Sequence, residues 1–113
     1  MNIAEFHKLI SPLLDDVVKT LIKKGADYST EKDTFENFHR HYDAMTTLGI
    51  ITAEAPRVYA LANVVEKVQR LINLGLRDPE NESVRDTIID GIAYLLLYYG
   101  MYVEDSKNKG SKI

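Results

Sequence analysis

The sequence predicts an all-α fold, an up-and-down bundle of three long helices and one short helix, completed by oligomerisation. Three observations lead there. Apolar residues recur at three- and four-residue spacing over three long stretches. No segment alternates apolar and polar residues with period two for long enough to make a strand. Gly25, Gly49 and Gly75 each follow a periodic stretch, where a helix stop is needed.

The first helix is expected from Ile3 to Lys24, with Phe6, Leu9, Ile10, Leu13, Leu14, Val17, Val18, Leu21 and Ile22 as one broad stripe. Pro12 lies inside it and leaves two readings open. Either it kinks the helix, or the main helix starts there with Ser11 as N-cap. Lys19, Lys23 and Lys24 suit the negative end of the helix dipole, Gly25 is the stop, and Ala26 to Thr34 reads as a loop. A short helix follows from Thr34 to Leu48, carrying Phe35, Phe38, Tyr42 and Met45, and Gly49 ends it. Thr52 is the expected N-cap of the third helix, which tolerates Pro56 in its first turn and runs to Leu74. Its core face is read as Val58, Leu61, Val65, Val68 and Ile72. After a turn over Arg77 to Asn81, the last helix spans Glu82 to Glu104. The domain is thus residues 1–104, and 105–113 form a disordered Lys/Ser/Gly tail.

Length and composition set limits. At 113 residues the chain is one domain, and 45% apolar with 27% charged residues is globular composition. A domain this size buries roughly two-thirds of its unfolded surface, a small margin for folding alone. The net charge of −3 argues against binding to a nucleic-acid backbone, which needs a basic face. The absence of cysteine excludes disulfides, thiolate chemistry and cysteine-type zinc sites. Met1 to Ile10 has Glu5, His7 and Lys8 and no apolar run, unlike a signal peptide. The apolar stretch Gly91 to Val103 would reach only about 20 Å as a helix, so it reads as a core helix rather than a membrane span. A cytoplasmic protein is expected.

Candidate chemistry concentrates on the last two helices. Glu82, Asp86 and Asp90 recur every four residues and line one helix face. Like charges so spaced repel, and a hard cation such as Mg²⁺ removes that cost. Ser83 with Asp86 also fits a capping box, which accounts for Glu82 and Asp86 as ordinary N-terminal acids but leaves Asp90, two turns in, less well explained. On the third helix Asn63, Glu66 and Arg70 form a polar stripe, readable as a solvated face with a Glu66–Arg70 pair. Its functional reading makes Glu66 a metal ligand and gives phosphate oxygens to Lys67 or Arg70. Between helices, Tyr28 or Phe38 offers a stacking surface and Asn37 a base-reading amide, unless the aromatics plug the bundle end. His7, His39 and His41 do not share a helix face and make no metal site. There is neither a Gly-rich phosphate loop nor a nucleophile signature.

Read in order, Lys24-Gly25-Ala26-Asp27-Tyr28, Asn37-Phe38, Lys67-x-x-Arg70 and Glu82-Ser83-x-x-Asp86-x-x-x-Asp90-x-x-x-Tyr94 resemble the nucleotide-modification-associated domain 1 proteins of phages and prophages. These in turn resemble the MazG-like, all-α nucleoside triphosphate pyrophosphohydrolases. The resemblance spans Lys24 to Tyr98. It implies a dimeric or tetrameric helical bundle that binds a nucleotide with Mg²⁺ between helices. Glu82 and Asp86 are the implied catalytic carboxylates. Lys24, Asp27, Tyr28, Asn37, Lys67 and Arg70 are the implied nucleotide contacts, and Glu66, Glu82, Asp86 and Asp90 the implied metal ligands. Catalytic members carry a Glu-Glu-x-x-Glu cluster on an earlier helix. Here only Asp15-Asp16 and Glu66 stand in comparable places, a set that serves nucleotide binding more readily than hydrolysis. Two further readings compete. One is a non-catalytic phage accessory protein that sequesters a nucleotide signal or binds a host defence protein. The other is an oligomerisation module whose interface is packed by Tyr94, Tyr98, Tyr99 and Tyr102.

Overall fold

The computed structural model describes residues 1–28, 36–49, 55–78 and 83–110, with side chains at 24–28, 36–38 and 41 outside that description. Among the described residues there is no strand, and the elements are α1 (Ile3–Tyr28), α2 (Glu36–Thr47), α3 (Pro56–Leu74) and α4 (Val84–Asn108). The all-α bundle with three long helices and one short one is therefore the observed fold. No described helix is long and apolar enough to cross a membrane.

Local chemistry sets the helix ends. α1 starts on a reciprocal capping box: the Glu5 N–H donates to Asn2 Oδ1 at 2.9 Å, and the Asn2 N–H donates to Glu5 Oε2 at 3.3 Å. Of the two readings of Pro12, the helix starting at Ser11 is therefore set aside, and Pro12 is an interior residue. Pro12 has no N–H for the Lys8 carbonyl. One residue earlier, the Ser11 hydroxyl donates to the His7 carbonyl at 3.0 Å. At the other end, α1 runs through Gly25 to Tyr28 instead of stopping at Gly25. A helical glycine costs only about 1 kcal/mol relative to alanine, and without a left-handed turn it cannot end a helix. Gly25 is not among the glycines with positive φ.

α3 begins later than the sequence predicts. Ala55, in extended conformation and without a side-chain cap, precedes Pro56 at the first helical position; Thr52 lies outside the described residues. Proline suits that position because its missing N–H would be unpaired there anyway. Gly75 closes α3 as expected, at φ 59°, with its N–H donating to the Leu71 carbonyl at 3.2 Å. α4 extends to Asn108, so residues 105–108 belong to the helix and not to a polar tail. Tertiary contacts explain the extra turn. The Arg57 guanidinium of α3 lies 3.8 Å from the Asp105 carboxylate and 5.4 Å from the centre of the Tyr102 ring.

α4 occupies the centre, packed against α3 on one side and α1 on another, while α1 and α3 do not pack on each other. Its buried residues are Thr87, Ile89, Ala93, Leu97 and Met101. With Ala60 of α3, Leu97 and Met101 form the core cluster, against which Leu21, Tyr59, Tyr94 and Tyr98 pack. Ala60 and Ala93 are fully buried and carry one carbon beyond the backbone, which lets neighbouring helices approach closely. α2 packs lightly on α1 and α3, with the Tyr42 and Tyr59 rings 6.4 Å apart.

The core face of α3 is not the predicted one. Val65 and Ile72 are about two-thirds exposed, and Val58 and Val68 are also exposed. The side turned to α4 holds Ala60, buried, with Val64, Lys67 and Leu71 partly buried. α3 thus carries apolar residues on two faces, and hydrophobic spacing alone cannot say which face meets the rest of the chain.

Candidate functional site

The N-terminus of α4 is built by Ser83. Its hydroxyl accepts from the Asp86 N–H at 3.0 Å, and its carbonyl accepts from the Thr87 N–H and the Thr87 hydroxyl, each at 3.1 Å. Thr87 is buried, so this end of α4 packs into the bundle. Of the predicted capping box the bond from the Asp86 N–H to the Ser83 hydroxyl is present, without a return bond from the Ser83 N–H to the Asp86 carboxylate among the described residues, and Asp86 sits in the first turn, where the dipole favours a negative charge.

From that turn α4 faces α1 across an open groove of about 490 Å³, lined by Asp16, Lys19 and Thr20 of α1 and Arg85, Asp86, Ile89 and Asp90 of α4. Arg85 ties the walls together, its Nη2 2.6 Å from Asp16 Oδ2, and Lys19 Nζ approaches the other oxygen of Asp16 at 3.9 Å. The Asp86 carboxylate is exposed and makes no ion pair among the described residues. Asp90 has a partner on its other side: Lys67 of α3 lies 3.6 Å away, with only 15% of its side chain exposed. The groove therefore holds two cations, a hydroxyl and three carboxylates, of which Asp86 makes no ion pair among the described residues, above an apolar floor at Ile89.

The sequence-derived residues are distributed as follows. Asp86 and Asp90 share the groove, and Lys67 backs Asp90 from α3. Glu66 and Arg70 pair with each other at 3.6 Å on the exposed surface of α3 and do not line the groove. Asp27 and Tyr28 lie in the last turn of α1, Lys24 just before it, and Asn37 in the first turn of α2, with side chains outside the described set; Glu82 is wholly outside it. No three Asp, Glu, His or Cys side chains among the described residues are placed to hold a metal ion. Asp16, Lys19, Thr20 and Arg85 were not among the predicted site residues. Arg85 and Asp16 are 69 positions apart, so no local spacing marks their pairing. A weaker signal existed: Asp16 and Thr20 sit at the border of the α1 apolar stripe, where a polar side chain meets a neighbouring helix.

No family model, curated protein or solved structure matches the chain.

Proposed function

We propose that this protein is a MazG-like nucleotide-binding protein of the phage or prophage type, acting in the cytoplasm as a homo-oligomer and holding the nucleotide's phosphates in the α1–α4 groove. The observation that carries the reading is the side-chain set of that groove. In this reading Lys19 and Arg85, which both approach Asp16, turn to phosphate oxygens, Arg85 with a planar fork suited to them. Asp86 offers its unpaired carboxylate to a Mg²⁺ ion already bridging those phosphates, the usual arrangement for this metal. In this reading Mg²⁺ enters with the phosphates of the ligand. The lack of a Glu-Glu-x-x-Glu cluster in the sequence favours binding over pyrophosphate release, since two-metal hydrolysis needs more carboxylates.

A thermal-shift screen of nucleoside and deoxynucleoside triphosphates, each with and without Mg²⁺, tests the proposal. A ligand at 100 times its dissociation constant stabilises the fold by about 2.7 kcal/mol, a rise of several degrees in Tm. The expected result is a Mg²⁺-dependent shift that disappears in Asp86→Ala. Accompanying release of pyrophosphate would assign the hydrolytic form of the same site. No shift with any nucleotide would refute the proposal and favour the accessory-protein reading, in which the partner is another protein.

A further inference from the structure

The protomer as a whole is less compact than its length requires. Its accessible surface is 8172 Å², about 1,900 Å² more than a folded monomer of 12.9 kDa ordinarily exposes. Its radius of gyration is 16.2 Å, against about 13 Å for a compact domain of this length. The excess area exceeds the roughly 800 Å² that each partner contributes to a standard interface and matches the share of an obligate homodimer.

Part of the exposed apolar surface has a regular pattern. On α3, Val58, Leu61, Val65, Val68 and Ile72 alternate steps of three and four residues, the seam of a helix that packs on another helix. Four of the five are exposed, Ile72 by 65% and Val65 by 64%. On α4, Ile88, Ile92, Leu95, Tyr99 and Tyr102 repeat the alternation on the face turned away from Ala93 and Leu97. Arg57 of α3 lies over Tyr102, which joins the two seams at one end. The ion pairs Arg57–Asp105 and Lys67–Asp90 show that α3 and α4 run antiparallel, so both seams flank the same helix–helix contact. Neither seam contains a charged residue. That matters for the choice of partner, because a two-fold interface places each patch against its own copy, and like charges there would repel.

We infer that the α3–α4 pair packs its two seams against the same pair of a second copy of this chain, closing a four-helix layer. The inference rests on the self-association reading above and assigns it a face. It also reassigns the tyrosines: Tyr94 and Tyr98 belong to the protomer core, while Tyr99 and Tyr102, with rings 6.4 Å apart, belong to the interface.

Sedimentation equilibrium of the full chain tests it, with far-UV circular dichroism as a control for folding. Wild type is expected at twice the 12.9 kDa chain mass. Val65→Glu and Leu95→Glu, each placing a charge on a seam, are expected at the single-chain mass with helicity retained. Val65→Ala, too mild to unfold an exposed position, is expected to weaken association by about tenfold or more, because each dimer loses two buried side-chain portions. A monomeric wild type overturns the inference and the self-association reading together. A dimer that survives all three changes but dissociates in Leu9→Glu, on the exposed part of α1, overturns the α3–α4 face alone.

Discussion

Asp86 and Asp90 are neighbours on one helix face, yet their surroundings divide their roles. Asp90 is about one-third exposed and its Lys67 partner is mostly buried, so the pair lies between a surface ion pair and a buried one. Removing Asp90 leaves Lys67 partly desolvated without that partner. Asp90→Ala is therefore expected to cost about 1–2 kcal/mol, more than the 0–1 of an exposed pair and less than the 3–5 of a buried one. Asp86 is exposed, and its backbone N–H, not its carboxylate, makes the capping bond to Ser83. Asp86→Ala is expected to change stability by less than about 0.5 kcal/mol. Urea unfolding of the two variants separates the roles, and equal destabilisation would contradict them. The pairing of Ser83 with Asp86 and the carboxylate periodicity of α4 were legible in the sequence because both are local patterns. The Lys67–Asp90 and Asp16–Arg85 pairs were not, because they depend on which helix faces meet.

At the scale of elements, two glycines make opposite demands. Gly75 ends α3 with φ 59°, a conformation that disfavours any side chain by roughly 1–2 kcal/mol. Gly91 lies in the middle of α4, and a methyl group added there would meet the Lys67 Cβ at 3.6 Å, an ordinary contact. Gly75→Ala is expected to lower stability by about 1–2 kcal/mol, and Gly91→Ala to raise it by about 0.5–1 kcal/mol through helix propensity. Thermal melts decide both, and a destabilised Gly91→Ala would show that α3 and α4 approach more closely than described. Element identity was readable because helical spacing is strong in α1, α3 and α4. Ends were less so. Gly25 resembles the stops at Gly49 and Gly75 by residue type, but only the latter two adopt positive φ. Asp105 extends α4 through a contact with α3 that no neighbouring residue announces.

For the molecule as a whole, one imbalance accounts for both the misassigned face of α3 and the oligomer expected from chain length. The chain has more apolar helix surface than three long helices can cover among themselves. α4 shows this most clearly, because it is apolar around most of its circumference while α1 and α3 cover only part of it. The sequence pattern marks Val58, Leu61, Val65, Val68 and Ile72 as a surface to be buried; in the protomer four of the five are exposed and Leu61 is partly buried. The same arrangement puts the groove between α1 and α4, with Asp90 reaching Lys67 of α3, while Glu66 pairs with Arg70 on the exposed surface of α3.

The central claim is that nucleotide phosphates bind between α1 and α4. Its most direct test is an amide ¹H–¹⁵N NMR titration of the protein with a deoxynucleoside triphosphate and Mg²⁺. The expected result is a saturable set of shift changes concentrated at residues 16–20 and 83–90, lost in the Lys19→Ala, Arg85→Ala double variant. Shift changes confined to the Glu66–Arg70 surface of α3, or none at all, would contradict it.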